Sequence, residues 1–197
     1  MKELRRLLFL QHLEMEGPGL FEQFAEERDF IKKELENERP IVGVCLGAQL
    51  LASAAGGDVE ILKYGSPPKA LPEIGWSQIF INKSNKDFKA LFEEPFHVLH
   101  WHGDRIILPN KAVLIASSAR CEEQFFRIGN FAYGLQFHIE TTGGMINNWI
   151  KEDKEFVLKA LGLNGQETLK EENKKYIDKT FLKRKLLMSR LFELLDN

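Results

Sequence analysis

The segment Ile41-Val42-Gly43-Val44-Cys45-Leu46-Gly47-Ala48-Gln49 constrains this chain more than any other part of it. Its β-branched residues predict a buried strand over 41–44. Residues 46–55, rich in Leu and Ala, follow at once and predict a helix closed by Gly56-Gly57. A strand that enters a helix through so tight a turn belongs to an α/β sheet covered by helices. Cys45 stands at the turn itself. The sharp bend lifts its side chain above the sheet edge, and the helix N-terminus favours a thiolate there. Gly43 and Gly47 leave room for close approach of backbone and substrate. The Leu46 amide, at the start of the helix, can donate to a developing oxyanion. Cys45 is therefore the expected nucleophile of an enzyme that attacks an amide carbonyl. The pattern G-x-C-x-G alone is equally compatible with a buried structural cysteine.

The remaining chain fits the same architecture. Residues 7–10 form an apolar run suited to a first strand, and residues 11–19 a loop. Leu20, Phe21, Phe24 and Ala25 recur at helical spacing, and Phe30, Ile31 and Leu35 give a second short helical face ended by Arg39-Pro40. Residues 59–62 predict a strand and 65–72 a turn-rich connection. Short strand-like runs follow at 78–81, 96–99, 105–108, 113–116, 124–128 and 132–137, a pattern of hairpins added beside a parallel core. Phe80, Phe125, Phe126 and Phe137 are expected in the core or on a sheet face. Residues 145–161 predict one amphipathic helix stopped by Gly162, and a further helical stretch runs to Leu195. Residues 170–190 carry eight Lys/Arg against three Asp/Glu and read as the solvated side of docked helices. The domain expected over 1–161 thus carries a helical extension, 162–197, packed on it.

Composition narrows the class. The 197 residues are 44% hydrophobic and 28% charged, with a formal net charge of -2, which fits a soluble globular domain and gives no global argument for nucleic acid. The two cysteines, Cys45 and Cys121, make no disulfide scaffold, and reduced thiols fit a cytoplasmic setting. Residues 1–13 lack the long apolar stretch and cleavage site of a signal peptide, and no run is long enough to span a membrane.

A cysteine nucleophile needs an imidazole to move a proton and a group to orient that imidazole. Of His12, His97, His100, His102 and His138, the last follows the strand-like Tyr133-Gly134-Leu135-Gln136-Phe137. Glu140 lies two positions on, where an extended chain points both side chains the same way. His100, His102 and Asp104 have a spacing that zinc accepts, but no further ligand cluster accompanies them, and no metal is expected. Trp76 and Trp101 either border a pocket or pack in the core. Cys121 lacks the context of a reactive thiol.

These motifs resemble the class I glutamine amidotransferase domains, close to the stand-alone members related to the glutaminase domain of guanylate synthetase. The matching stretches are 40–51, then Glu73-Ile74-Gly75-Trp76, Trp101-His102-Gly103-Asp104, Ala116-Ser117-Ser118 with Cys121, and 133–140, in that order. The resemblance implies a flavodoxin-like α/β fold with a mostly parallel sheet. It implies that Cys45 attacks the side-chain amide of glutamine, that His138 activates the thiol and protonates the departing ammonia, and that Glu140 orients the ring. A glutamyl thioester would form and water would release glutamate. Gln49 and Gly47 match substrate-binding positions. No cofactor is implied, and an ammonia-accepting synthetase would lie on another chain.

Two departures stand out. Family domains have a further strand and a Gly-Gly loop, which supplies an oxyanion amide, between the first helix and the nucleophile strand. Here Asp29-Phe30 runs through where that segment belongs. Either the sequence omits a segment or the protein has lost one side of its active site, and omission is the favoured explanation because sheet as well as loop is missing. Residue 139 is Ile where the family commonly has Pro. The alternatives are hydrolysis of a γ-glutamyl conjugate or a peptide by the same residues, and a non-catalytic binding module of the same fold.

Overall fold

The protein is described by a computed structural model covering residues 8–10, 20–82, 85–89 and 96–196. The expected loop at 11–19, with His12, lies outside the described residues, as does Leu7. In chain order the elements begin with β1 (Leu8–Leu10), α1 (Leu20–Glu36), β2 (Ile41–Val44) and α2 (Leu46–Ala54). Then come β3 (Asp58–Ile61), β4 (Lys63–Tyr64), β5 (Lys69–Ala70), β6 (Glu73–Ile81), α3 (Lys86–Lys89) and β7 (Phe96–His102). The order continues with β8 (Asp104–Ile107), β9 (Ala112–Ser118), β10 (Phe125–Ile128) and β11 (Ala132–Leu135). Four helices follow: α4 (Gly143–Glu152), α5 (Lys154–Leu161), α6 (Gly165–Tyr176) and α7 (Phe181–Leu195).

Seven strands form one mixed sheet in the order β1-β2-β11-β10-β9-β6-β7. It is parallel across β1, β2 and β11, and antiparallel from there to β7. β3 and β8 pair outside it, as do β4 and β5. With helices on its faces, added hairpins and a helical C-terminal extension, this is a flavodoxin-like α/β fold.

Strand alternation explains the two main cores. On one face Val42, Val44, Phe125, Tyr133 and Leu135 pack with Leu187, Leu191 and Leu195 of α7. On the other, Ile41, Phe126, Ile128 and Ala132 meet Ile31 of α1 and Ala48 and Leu51 of α2. β2 is therefore buried on both sides, which is why its run is continuously apolar. Phe125 and Phe126 are both fully buried, each contributing roughly 1.5–3 kcal/mol by removal from water. A third cluster sets Ile74, Trp76, Leu99 and Trp101 of β6 and β7 against Ile146, Ile150, Val157 and Leu169 of α4 to α6.

Local departures from the sequence reading have local causes. α1 is one continuous helix, with Ile31 buried and Phe30 half-exposed on its flank. Residues 145–161 form two helices, because Asp153 leaves helical geometry (φ -94°, ψ 40°). Its carboxylate accepts a hydrogen bond from Trp101 Nε1 at 2.8 Å, which ties the break to β7. Phe80 is 45% exposed, unlike Phe125, Phe126 and Phe137. Among the described residues no helix is long and apolar enough to cross a membrane.

Candidate functional site

β2 and β11 lie side by side in parallel register, Val44 opposite Leu135, so their C-terminal ends open at one place. Cys45 leaves the end of β2 with φ 52° and ψ -110°, a left-handed conformation that costs a non-glycine residue roughly 1–3 kcal/mol. Its amide donates to the Leu135 carbonyl at 2.7 Å, and its carbonyl accepts from Ala48 and Gln49 at 3.0 and 3.1 Å, which starts α2. A β-carbon on Gly43 would collide with the Gly47 carbonyl and lie 2.8 Å from the Ala48 nitrogen. Glycine at 43 therefore lets strand and helix fold back on one another. Leu46 opens α2, where the first amides have no partner within the helix.

The Cys45 sulfur is already engaged. It donates to the Trp101 carbonyl and accepts from Gln136 Nε2, each at 3.7 Å. Gln136 in turn accepts from Gln49 Nε2 at 3.2 Å, so the buried Gln49 is tied to the β11 side. Beyond β11 the chain crosses to β7, with the His138 amide donating to the Leu99 carbonyl at 2.8 Å. His138 Nδ1 lies 2.7 Å from Glu140 Oε1, and the Ile139 amide donates to Glu140 Oε2 at 2.9 Å. Trp149 stands edge-on to the imidazole at 4.9 Å between ring centroids.

Burial alone would push the His138 imidazole down. The adjacent Cys45, through charge and a hydrogen bond, and Glu140 together hold it up at about 10. Burial likewise pushes Glu140 up, but hydrogen bonding and charge from His138 leave it below the ordinary carboxylate value. The stability due to a raised imidazole is complete below its ordinary value of 6.5 and is lost as pH rises through about 10. The contribution of Glu140 is present above its ordinary value and is lost as acid protonates it. Wild type should therefore lose its stability advantage over His138→Asn as pH climbs from 6.5 towards 10 in urea unfolding. An advantage that stays constant over that range would contradict the pairing.

A second buried group lies one strand pair away. Register places Glu73 of β6 opposite His102 of β7. Glu73 Oε2 is 3.4 Å from His102 Nε2 and 3.7 Å from His100 Nδ1. Burial raises Glu73, yet the His102 hydrogen bond and both imidazoles bring it below the ordinary value. Burial drives His100 down to about 4, against the opposing pull of Glu73. Asp104 joins through its backbone, its carbonyl accepting from His102 Nδ1 at 2.8 Å. Sequence reasoning missed Glu73 as a member of this group. The available signal was a carboxylate at the head of an apolar strand that also holds Ile74 and Trp76. Both Trp76 and Trp101 are buried, which settles them as core residues. Burial pushes the Cys121 thiol up to about 12, as befits an inert structural cysteine.

The expectation of an amide-hydrolysing enzyme built on a cysteine nucleophile and a Cys-His-Glu catalytic triad is corrected here. Among the described residues, the converging group of His, Cys, Asp and Glu side chains is Glu73, His100 and His102, and neither Cys45 nor Cys121 belongs to it. Among the described residues, α1 also passes through the short turn 37–40 directly into β2, without the further strand and Gly-Gly loop expected there to add a donor to the Leu46 amide. Loss of one such donor costs about 100- to 1,000-fold in turnover.

The profile of the glutamine amidotransferase class-I family matches residues 15–154. The glutamine amidotransferase-like protein YfeJ of Salmonella typhimurium is 33% identical over 138 residues, 69% of this chain and 55% of that protein. The glutamine-hydrolysing GMP synthase component of Thermoplasma acidophilum is 35% identical over 109 residues, 53% of this chain and 50% of that protein. The matched stretch thus spans about half the length of these two relatives. The crystal structure of a glutamine amidotransferase from Thermotoga maritima superposes with a TM-score of 0.75 at 30% identity, covering 97% of this chain and 78% of that one.

Proposed function

Since the chain belongs to the class-I glutamine amidotransferase family, we propose that it serves as a non-catalytic binding module of that fold, holding a small ligand of the glutamine class by its side-chain carboxamide. The observation that carries this reading is that the converging group of described His, Cys, Asp and Glu side chains, Glu73, His100 and His102, includes neither cysteine, and the direct passage from α1 into β2 supports it. Binding needs less than turnover does. The Leu46 amide at the α2 N-terminus can donate to a ligand carbonyl oxygen. Gly47 allows the ligand to approach the backbone closely, and Gln49 contributes a side-chain amide at the same end of the sheet. His138, held as a cation and steadied by Glu140, offers a further donor beside Cys45. In this reading Cys45 shapes the pocket and does not form a thioester.

Calorimetric titration with glutamine tests the proposal. Binding should be measurable with wild type and weaker by about tenfold in Gln49→Ala, which corresponds to about 1.4 kcal/mol. A glutamine analogue carrying an electrophile should compete reversibly and leave the mass of the protein unchanged. No detectable glutamine binding by folded protein, or a covalent adduct on Cys45, would overturn the reading.

A further inference from the structure

The Glu73, His100 and His102 group has the spacing of a ligand set around one small cation. Tetrahedral zinc with bonds of about 2.0–2.1 Å holds neighbouring ligand atoms roughly 3.3 Å apart. Glu73 Oε2 lies 3.4 Å from His102 Nε2 and 3.7 Å from His100 Nδ1. A fourth position is filled by the Gln124 amide, whose Nε2 is 2.9 Å from Glu73 Oε2 and 3.3 Å from His102 Nε2.

Second, independent observations point to a ligand. His100 is wholly buried, and although a Ser77 backbone group stands beside its ring, neither ring nitrogen makes a well-formed hydrogen bond. The Oε1 of Gln124 is likewise buried without a partner, although the same amide's nitrogen side is engaged. Leaving such groups unpaired costs roughly 1–3 kcal/mol each. A half-turn of the Gln124 amide would bring its oxygen into the group and give up the bonds its nitrogen makes to Glu73 and Ser118, an exchange that only a bound cation beside the Glu73 carboxylate makes favourable. His102 is prepared in the manner of a metal-bound imidazole. Its Nδ1 donates to the Asp104 carbonyl and its Nε2 faces Glu73, so a bound ion would take the place of the proton that Nε2 shares with the carboxylate. Ser118 Oγ donates to Glu73 Oε2 at 3.0 Å and steadies the carboxylate from outside. Ser118 also lines a cleft of about 330 Å³ on the outer side of this group.

We propose that Glu73, His100 and His102 bind one divalent transition-metal ion of the zinc class, with the turned amide oxygen of Gln124 as fourth ligand. Nitrogen and oxygen donors in this number suit zinc over calcium or magnesium, which prefer all-oxygen shells. The ion lies within the sheet, between β6 and β7 and the segment leading into β10, so it acts as a structural cross-brace. The proposal stands apart from the glutamine-binding reading.

Titration of chelator-treated full-length protein with Co(II), followed by displacement with Zn(II), tests it. Wild type should take up a single equivalent with the visible absorption of four-coordinate Co(II), and the same uptake should persist in a Cys45→Ser, Cys121→Ser double variant. Glu73→Gln and His102→Gln should each weaken binding by at least ~100-fold. If either variant fails to fold, X-ray absorption of the wild-type zinc protein decides, with two imidazoles and oxygen expected in the shell. Absence of Co(II) uptake by wild type, loss of it in the cysteine variant, or sulfur in the shell would overturn the assignment and leave the group as a hydrogen-bond network.

Discussion

Gly43→Ala should cost about 3 kcal/mol of stability, because the added methyl group strikes backbone that side-chain rotation cannot move. The obstructing atoms are the Gly47 carbonyl group and the Ala48 nitrogen, all belonging to the first turn of α2. Relief would require β2 and α2 to separate. Both are held: β2 between β1 and β11, and α2 by Ala48, Leu51 and Ala52 in the core. The same displacement would release the strained backbone of Cys45, so the variant should lose glutamine binding along with stability. Urea unfolding reads the first effect and calorimetry the second. A change below about 1 kcal/mol would show that the turn is looser than its packing indicates.

Arg184→Met should be comparably damaging, at about 3 kcal/mol, because it leaves several buried carbonyl groups without a donor. Arg184 lies on α7 and is 5% exposed. Its Nη1 donates to the carbonyls of Ile139 and Thr141 at 3.1 and 2.7 Å, and its Nη2 to that of Ile177 at 2.9 Å. Ile139 and Thr141 flank Glu140, so this one side chain fastens the C-terminal helices to the segment that orients His138. Its guanidinium also lies 5.8 Å from the Trp76 ring centroid, which adds a cation–π contact. Methionine can fill much of the volume and supplies none of the donors. Hydrogen exchange at residues 139–141 should accelerate in this variant well beyond the change at β2. Uniform acceleration across the sheet would mean that Arg184 supports the fold globally and has no special hold on the site.

The elements whose patterns are local were legible in the sequence. β2 announced itself by β-branched residues, α2 by Leu and Ala with a Gly-Gly stop, and the Cys45 turn by flanking glycines. His138 and Glu140 were legible as a pair because two-residue spacing in an extended chain fixes their relative direction. Glu73 was not, because its partners His100 and His102 reach it only through the antiparallel pairing of β6 with β7. The hidden break at Asp153 has the same origin, since the residue that secures it, Trp101, is 52 positions away. Arg184 was obscured by its surroundings: in a stretch so rich in lysine and arginine, nothing local marks the one cation that turns inward. The expectation of catalysis went astray for a related reason. The motifs near Cys45 and His138 describe each residue's own turn or strand, while the described side chains that converge in three dimensions are Glu73, His100 and His102, with neither cysteine among them.

Ammonia release from glutamine, measured side by side for folded wild type and Cys45→Ser at saturating glutamine, decides whether Cys45 acts as a nucleophile. Glutamine should bind, and the two proteins should release ammonia at the same background rate. Release by wild type clearly above that of Cys45→Ser would contradict this and restore Cys45 as a nucleophile.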